Sequence, residues 1–79
     1  MSQVYETVKK LLVENLSIDE AKINENANIM QDLGADSLDL MDLVNELEEI
    51  YSIKIPQEDY ANLKTVGDVA KYIESKIAK

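Results

Sequence analysis

The chain has 79 residues, of which 46% are apolar, enough for one small core but too little to enclose a sizeable active site. Sixteen acidic residues against eight basic ones give a net charge of −8, which disfavours nucleic acid and anionic membranes as partners. We find neither an apolar run long enough to span a membrane nor a signal-peptide pattern. Histidine and cysteine are absent, so we expect no enzyme activity, and any thiol chemistry must come from an attached group.

The first segment predicts an amphipathic helix over residues 3–15, capped at its start by Ser2. Its core stripe consists of Val4, Val8, Leu11 and Leu12. Residues 19–31 then predict a long connection that allows a short helical turn near residues 19–22. Apolar anchors are expected to pin this connection to the core: Ile18, Ile23, Ala27, Ile29 and Met30.

The second helix is predicted to start at Ser37, with Asp36 as its N-cap, and to end at Tyr51. At 3.6 residues per turn, one face forms a core stripe of Leu40, Leu43, Val44, Leu47 and Tyr51. The opposite face carries Leu38, Met41, Asp42, Asn45, Glu48 and Glu49, with Asp39 and Glu46 on its flank. Two large apolar side chains among carboxylates favour a docking surface over a purely solvated face.

The negative charge is concentrated around this helix. Residues 23–53 contain no lysine, and their acids are Glu25, Asp32, Asp36, Asp39, Asp42, Glu46, Glu48 and Glu49. The rest of the chain sums to zero. A merely soluble surface would explain the acidity but not its confinement to one segment, so this field favours proteins with basic patches as partners.

The remaining chain predicts an extended segment over residues 52–56, a short helix over residues 57–63, and a final helix that opens with a Thr65–Asp68 capping box. The core stripe of the final helix is Val66, Val69, Ala70, Tyr72, Ile73 and Ile77. We therefore expect an all-α fold, a small bundle of three main helices plus one short helix, as a single domain over residues 1–79.

The run Asp32-Leu33-Gly34-Ala35-Asp36-Ser37-Leu38-Asp39 resembles the attachment motif of acyl carrier proteins. Chain length, acidity, the later Ile55-Pro56 pair and the final helix extend this resemblance over nearly all of the chain. The resemblance implies that Ser37 carries 4′-phosphopantetheine, which a phosphopantetheinyl transferase attaches from coenzyme A with magnesium. Gly34, Asp36 and Leu38 would frame the site.

By the same resemblance, the thiol of the prosthetic group would hold acyl chains during fatty acid synthesis in the cytoplasm. The implied partners are the malonyl transferase, ketosynthase, ketoreductase, dehydratase and enoyl reductase, together with acyltransferases. They would dock on Leu38, Asp39, Met41, Asp42, Asn45, Glu48 and Glu49. An acyl pocket would be lined by Leu43, Val44, Leu47, Ile55, Leu63 and Ile73. We expect a monomer without nucleic-acid partners or membrane insertion.

Other interpretations stay open at this point. Asn45 occupies a position where many fatty-acid carriers place an apolar residue, so the same scaffold could serve polyketide, lipid A, or aminoacyl or peptidyl pathways. An unmodified acidic helical adaptor is an alternative from another class. The acidic residues do not follow the spacing of a calcium-binding EF-hand loop, so we predict no specific metal site, only weak divalent binding.

Overall fold

Three α-helices carry the fold in the computed structural model, which describes residues 3–77. They are α1 (Gln3–Leu16), α2 (Ser37–Tyr51) and α3 (Val66–Ile77), with 3₁₀ helices at Glu20–Lys22 and Gln57–Asn62. Within residues 3–77 the only strand-like pairing is an isolated bridge between Asn28 and Thr65. The predicted all-α bundle is confirmed. The predicted Ser2 cap lies outside the described residues.

The apolar faces of the three α-helices meet in one core. The four residues predicted for α1 are the four that it buries, and α2 buries Leu40, Leu43, Val44 and Leu47 with Tyr51 at the edge. α3 contributes Val66, Val69, Ala70 and Ile73, and the connections add Ile23, Ala27, Ile29, Ala35, Ile55 and Leu63. Helical periodicity therefore identified every buried residue of the three α-helices.

Two predicted core residues are instead exposed, and the short helix differs in type. The prediction was wrong at Met30, which is 42% exposed because it follows buried Ile29 in a turn and turns outward. It was also wrong at Ile77, which is 41% exposed because it ends α3, one turn beyond the last buried residue of that helix. The predicted helix over residues 57–63 is a 3₁₀ helix that ends at Asn62 and buries no residue.

The long connection before α2 is joined to the start of α3 by a seam of three backbone hydrogen bonds. Ile29 N–H donates to the Lys64 carbonyl at 2.9 Å, and Val66 N–H donates to the Ala27 carbonyl at 3.1 Å. Gly67 N–H donates to the Glu25 carbonyl at 2.9 Å. We call residues 25–29 and 64–67 the seam. The seam fixes the position of this irregular connection relative to the start of α3.

Gly67 lies at the closest approach in this seam. A Cβ atom at this position would lie 2.9 Å from the Glu25 carbonyl oxygen, a backbone atom that cannot rotate away. The absence of a side chain therefore allows the connection to approach α3.

We expect Gly67→Ala to destabilise the fold by about 1–3 kcal/mol, because the added methyl group overpacks the seam. In a helix without such a neighbour, the same change would stabilise by about 0.5–1 kcal/mol, so the sign is diagnostic. Urea unfolding monitored by circular dichroism measures the difference. Lys71→Ala, an exposed change in the same helix, is the control and should stay within about 0.5 kcal/mol. A Gly67→Ala variant as stable as the parent would contradict this account of the seam.

A second link ties the Gln57–Asn62 helix to α3. The half-buried Tyr72 hydroxyl donates to the Asp59 carboxylate at 2.5 Å. Burial, the hydrogen bond to Asp59 and the charge of that carboxylate raise the pKa of Tyr72 to about 12 from an ordinary value of 10.0. The fold therefore favours the neutral phenol.

Because the pKa of Tyr72 is higher in the folded than in the unfolded chain, its contribution to stability is complete below about pH 10 and is lost as the pH rises to about 12. The expected result is a steeper loss of unfolding free energy in this window for the parent than for Tyr72→Phe, which has no proton to lose. Denaturant unfolding at about pH 9, 10, 11 and 12, which covers the interval between the two pKa values of Tyr72, provides the test. Parallel curves for the two proteins would contradict the raised pKa.

Candidate functional site

The start of α2 is fixed by two aspartates that cap each other. The Asp36 carboxylate accepts from Asp39 N–H at 2.9 Å, and the Asp39 carboxylate accepts from Asp36 N–H at 3.2 Å. The predicted N-cap at Asp36 is confirmed, and the reciprocal contact makes it a capping box. The box satisfies two of the backbone donors that a helix start leaves without an internal acceptor.

Ser37 is the first residue of α2, directly follows the N-cap Asp36, and is exposed to solvent. The backbone N–H groups of Ser37 and Leu38 lie in the first turn, where α2 has no internal acceptor for them. Gly34 has φ +77°, a conformation that side chains rarely adopt, while the space around it is open. The need for glycine therefore comes from its backbone angle and not from crowding by neighbouring atoms.

This arrangement suits a group joined through a phosphodiester. An exposed serine offers a hydroxyl oxygen to which such a group can be joined, and the positive end of the α2 dipole favours a phosphate there. The carboxylates of Asp36 and Asp39 oppose that preference. A covalently attached phosphodiester stays in place without any binding affinity. Repulsion between the two carboxylates and the phosphate would therefore not release the group. The residues at the start of α2 fit 4′-phosphopantetheine.

The outward face of α2 presents most of the predicted docking residues to solvent. Leu38 is 67% exposed and Met41 is 38% exposed. The other exposed members are Asp42, Asn45 and Glu49, whereas Asp39 is half-buried in the capping box. Apolar side chains thus stand among carboxylates as the sequence predicted.

Glu48 differs from its predicted neighbours, because its carboxylate serves the fold. It is half-buried and accepts from Ile55 N–H at 2.7 Å, while its backbone carbonyl accepts from Ser52 and Ile53. These contacts end α2 and hold the extended segment against it. Glu48 therefore carries an internal role that its position on the helical wheel did not indicate.

The six residues predicted to line an acyl pocket lie together in the core cluster. They are Leu43, Val44, Leu47, Ile55, Leu63 and Ile73, each between 0 and 5% exposed. They come from α2, α3 and both ends of the 52–63 segment. The structure brings them together as a closed apolar cluster, so a chain entering there would have to part these elements.

Two further expectations concern metals and membranes. No group of three or more acidic side chains within residues 3–77 is arranged to hold a metal ion. None of the helices in this part of the chain is long and apolar enough to cross a membrane.

The sequence analysis missed the structural roles of two residues in this region. Asp39 was assigned to docking, although its spacing from Asp36 equals that of Thr65 and Asp68, the capping box that was recognised and is confirmed. Asn28 was not singled out, yet its side-chain oxygen accepts from Met30 and Gln31 N–H and shapes the approach to α2. An asparagine before a turn is the signal that could have indicated this.

Comparison with known proteins agrees with this site. Residues 6–73 match the family described as Phosphopantetheine attachment site. The chain is 41% identical over 75 residues to the acyl carrier protein of Thermotoga maritima, covering 95% of this chain and 93% of that relative. It is 47% identical over 73 residues to the acyl carrier protein of Bdellovibrio bacteriovorus, covering 92% of this chain and 94% of that relative.

The chain belongs to the acyl carrier protein family. Proteins of this family are carriers rather than enzymes, and their prosthetic group is covalently attached 4′-phosphopantetheine. The two relatives match along nearly their whole length.

We expect Asp36→Ala to lower the free energy of unfolding by about 1 kcal/mol, because the Asp39 N–H loses its acceptor. Asp42→Ala removes the same charge from an exposed site on α2, so it controls for relief of acidic repulsion. Thermal unfolding of both variants provides the comparison. Equal stability of the two variants would show that the capping box does not stabilise the start of α2.

Proposed function

We propose that this chain carries acyl groups in fatty acid synthesis, with 4′-phosphopantetheine attached to the hydroxyl oxygen of Ser37. The observation that supports Ser37 most is its exposure as the first residue of α2, directly after the capping Asp36 and three residues after Gly34, which has a positive φ. The family match over residues 6–73 spans this serine. Residues 1–79 would then act as one carrier domain.

In this proposal the chain positions the Ser37 hydroxyl but does not activate it for the attachment reaction. It contains no histidine, and its lysines lie outside residues 23–53. Proton removal from Ser37 is therefore assigned to the transferase, which would use coenzyme A and magnesium. The capping box keeps the serine at a rigid helix start, so the acceptor oxygen is presented at a fixed place. The attached group supplies a terminal thiol that holds acyl chains as thioesters, which a chain without cysteine cannot do.

A partner enzyme could contact the exposed residues on the outward face of α2, which are Leu38, Met41, Asp42, Asn45 and Glu49. Each apolar contact would be surrounded by carboxylates that attract lysine and arginine. Surface ion pairs are individually weak and screened by salt, which suits a carrier that must leave one enzyme for the next. The fatty acid pathway is proposed because Gly34 to Asp39 resembles its carriers, and the cytoplasm follows from that pathway.

The buried cluster of Leu43, Val44, Leu47, Ile55, Leu63 and Ile73 is proposed to receive the acyl chain. The segment that covers it buries no side chain in its 3₁₀ helix and is held by two polar links, Tyr72 to Asp59 and Glu48 to Ile55. Outward movement of this segment would break these two links and uncover Ile55 and Leu63, whose apolar contacts the entering acyl chain would replace.

The decisive experiment is intact-mass analysis of the purified chain after incubation with coenzyme A, magnesium and a phosphopantetheinyl transferase of broad specificity. We expect the parent to gain one phosphopantetheinyl group and Ser37→Ala to gain none, because the variant lacks the attachment oxygen. Ser75→Ala, an exposed change on α3, is the matched control and should be modified like the parent. A folded parent that gains no mass, or a Ser37→Ala variant that does, would refute the assignment.

A further inference from the structure

A groove opens between α1 and α2 on the side of α2 that faces away from Met41. Its volume is about 430 Å³, within the range of ligand-binding clefts. Leu11, Leu12 and Leu16 line it from α1, and Leu43 lines it from α2. Its rim is polar and consists of Asn15, Asp39, Asp42, Asn45 and Glu46. The groove therefore has an apolar floor and a hydrophilic edge.

The charge of this rim has one sign. Asp39, Asp42 and Glu46 are carboxylates, and no lysine lines the groove. The walls are tied together where the Asn15 side-chain amide donates to the Glu46 carboxylate. An anionic rim over a leucine floor is complementary to a segment that carries a large apolar side chain between cationic ones.

We propose that the α1–α2 groove is a docking site for a basic amphipathic helix of a partner protein, which inserts an apolar side chain over Leu16 and pairs lysines or arginines with Asp42 and Glu46. This inference rests on the proposed carrier function in that it describes how partners bind. It enlarges the partner surface from the outward face of α2 to a cleft with walls on two helices.

The groove shares only Leu43 with the acyl cluster, and it excludes the exposed pair Leu38 and Met41. Neither of those two residues lines it, whereas Asp42 and Asn45 border both surfaces. A partner could therefore hold the outward face and the groove together. An acyl chain is a poorer occupant, because it has no cation to place beside three carboxylates.

The probe is a synthetic amphipathic helix of leucine and lysine, with leucines at positions i, i+3, i+4 and i+7. Titrated into the ¹⁵N-labelled chain, it should shift the amides of Leu11, Asn15, Leu16 and Glu46 more than those of Leu38 and Met41. A peptide with glutamate in place of lysine should not bind. Shifts centred on Leu38 and Met41, no binding of the lysine peptide, or equal binding of the glutamate peptide would each overturn the proposal.

Asn15→Lys tests the rim. The new ammonium can pair with Glu46, which keeps the two helices tied, but it repels a cationic helix. We expect affinity for the lysine peptide to fall about threefold to fivefold. Asn62→Lys adds the same charge at an exposed site away from the groove and is the matched control. Equal affinities for the two variants would contradict a role for the rim.

Leu16→Gln tests the floor, with Ile77→Gln as its control. Leu16 is half-buried at the end of α1, and Ile77 is 41% exposed at the end of α3. We expect only Leu16→Gln to weaken peptide binding, by about fivefold, in a variant shown to be folded by its spectrum. Peptide mapping repeated on Ser37→Ala should be unchanged, so failure of the groove and failure of the attachment site are separable. Equal weakening by both glutamine variants would overturn the assignment of the floor.

Discussion

The seam between the long connection and α3 is the constraint on which the rest of the structure depends. Twenty residues separate the end of α1 at Leu16 from the start of α2 at Ser37, and closing so long a segment is entropically unfavourable. Three backbone hydrogen bonds to residues 64–67, together with buried Ile23, Ala27 and Ile29, compensate for that loss. From there a bond between Ala35 N–H and the Ile29 carbonyl leads directly to the α2 cap. The position of Ser37 is thus set by a helix that lies thirty residues later in the chain.

The acidic segment remains folded because several of its carboxylates accept hydrogen bonds. Asp32 accepts from Asn28 N–H, Asp36 and Asp39 cap each other, and Glu48 accepts from Ile55 N–H. In each case a charge that would repel its neighbours satisfies a backbone donor that would otherwise lack an acceptor. Acidic residues therefore hold the segment together where their carboxylates bond to its backbone, and those that remain exposed are the ones proposed to attract cationic partners.

The sequence predicted the features that depend on side-chain type along one helix. Spacing identified the core stripes and the start of α2, because a buried helix face repeats with a fixed period. It could not predict the seam, which is made by backbone groups that every residue has. Gly67 was therefore treated only as part of a capping box, although its role is to leave room for the Glu25 carbonyl. The groove could not be predicted for a related reason. Its floor is formed by side chains of two helices, and the periodicity of one helix does not indicate how it packs against another. Met30 and Ile77 were misassigned because hydrophobicity alone does not say which way a turn or a helix end faces.

α2 packs into the core on one side, and its other sides are the ones proposed to bind partner proteins. Its buried side is closely packed, with Val44 and Leu47 each 0% exposed, so this side provides the rigidity that fixes Ser37. On its other sides, Leu38 and Met41 are exposed to solvent, and the helix borders the acidic groove. Exposed apolar side chains and neighbouring carboxylates are both unfavourable for the isolated chain. If a basic partner docks there as proposed, long-range attraction by the carboxylates would accelerate the encounter, and the shallow apolar contacts would keep dissociation fast. In the proposed carrier function, a deeper or more apolar interface would hold one enzyme longer and so slow the transfer to the next. A small apolar area surrounded by carboxylates would instead keep the affinity low enough for repeated exchange.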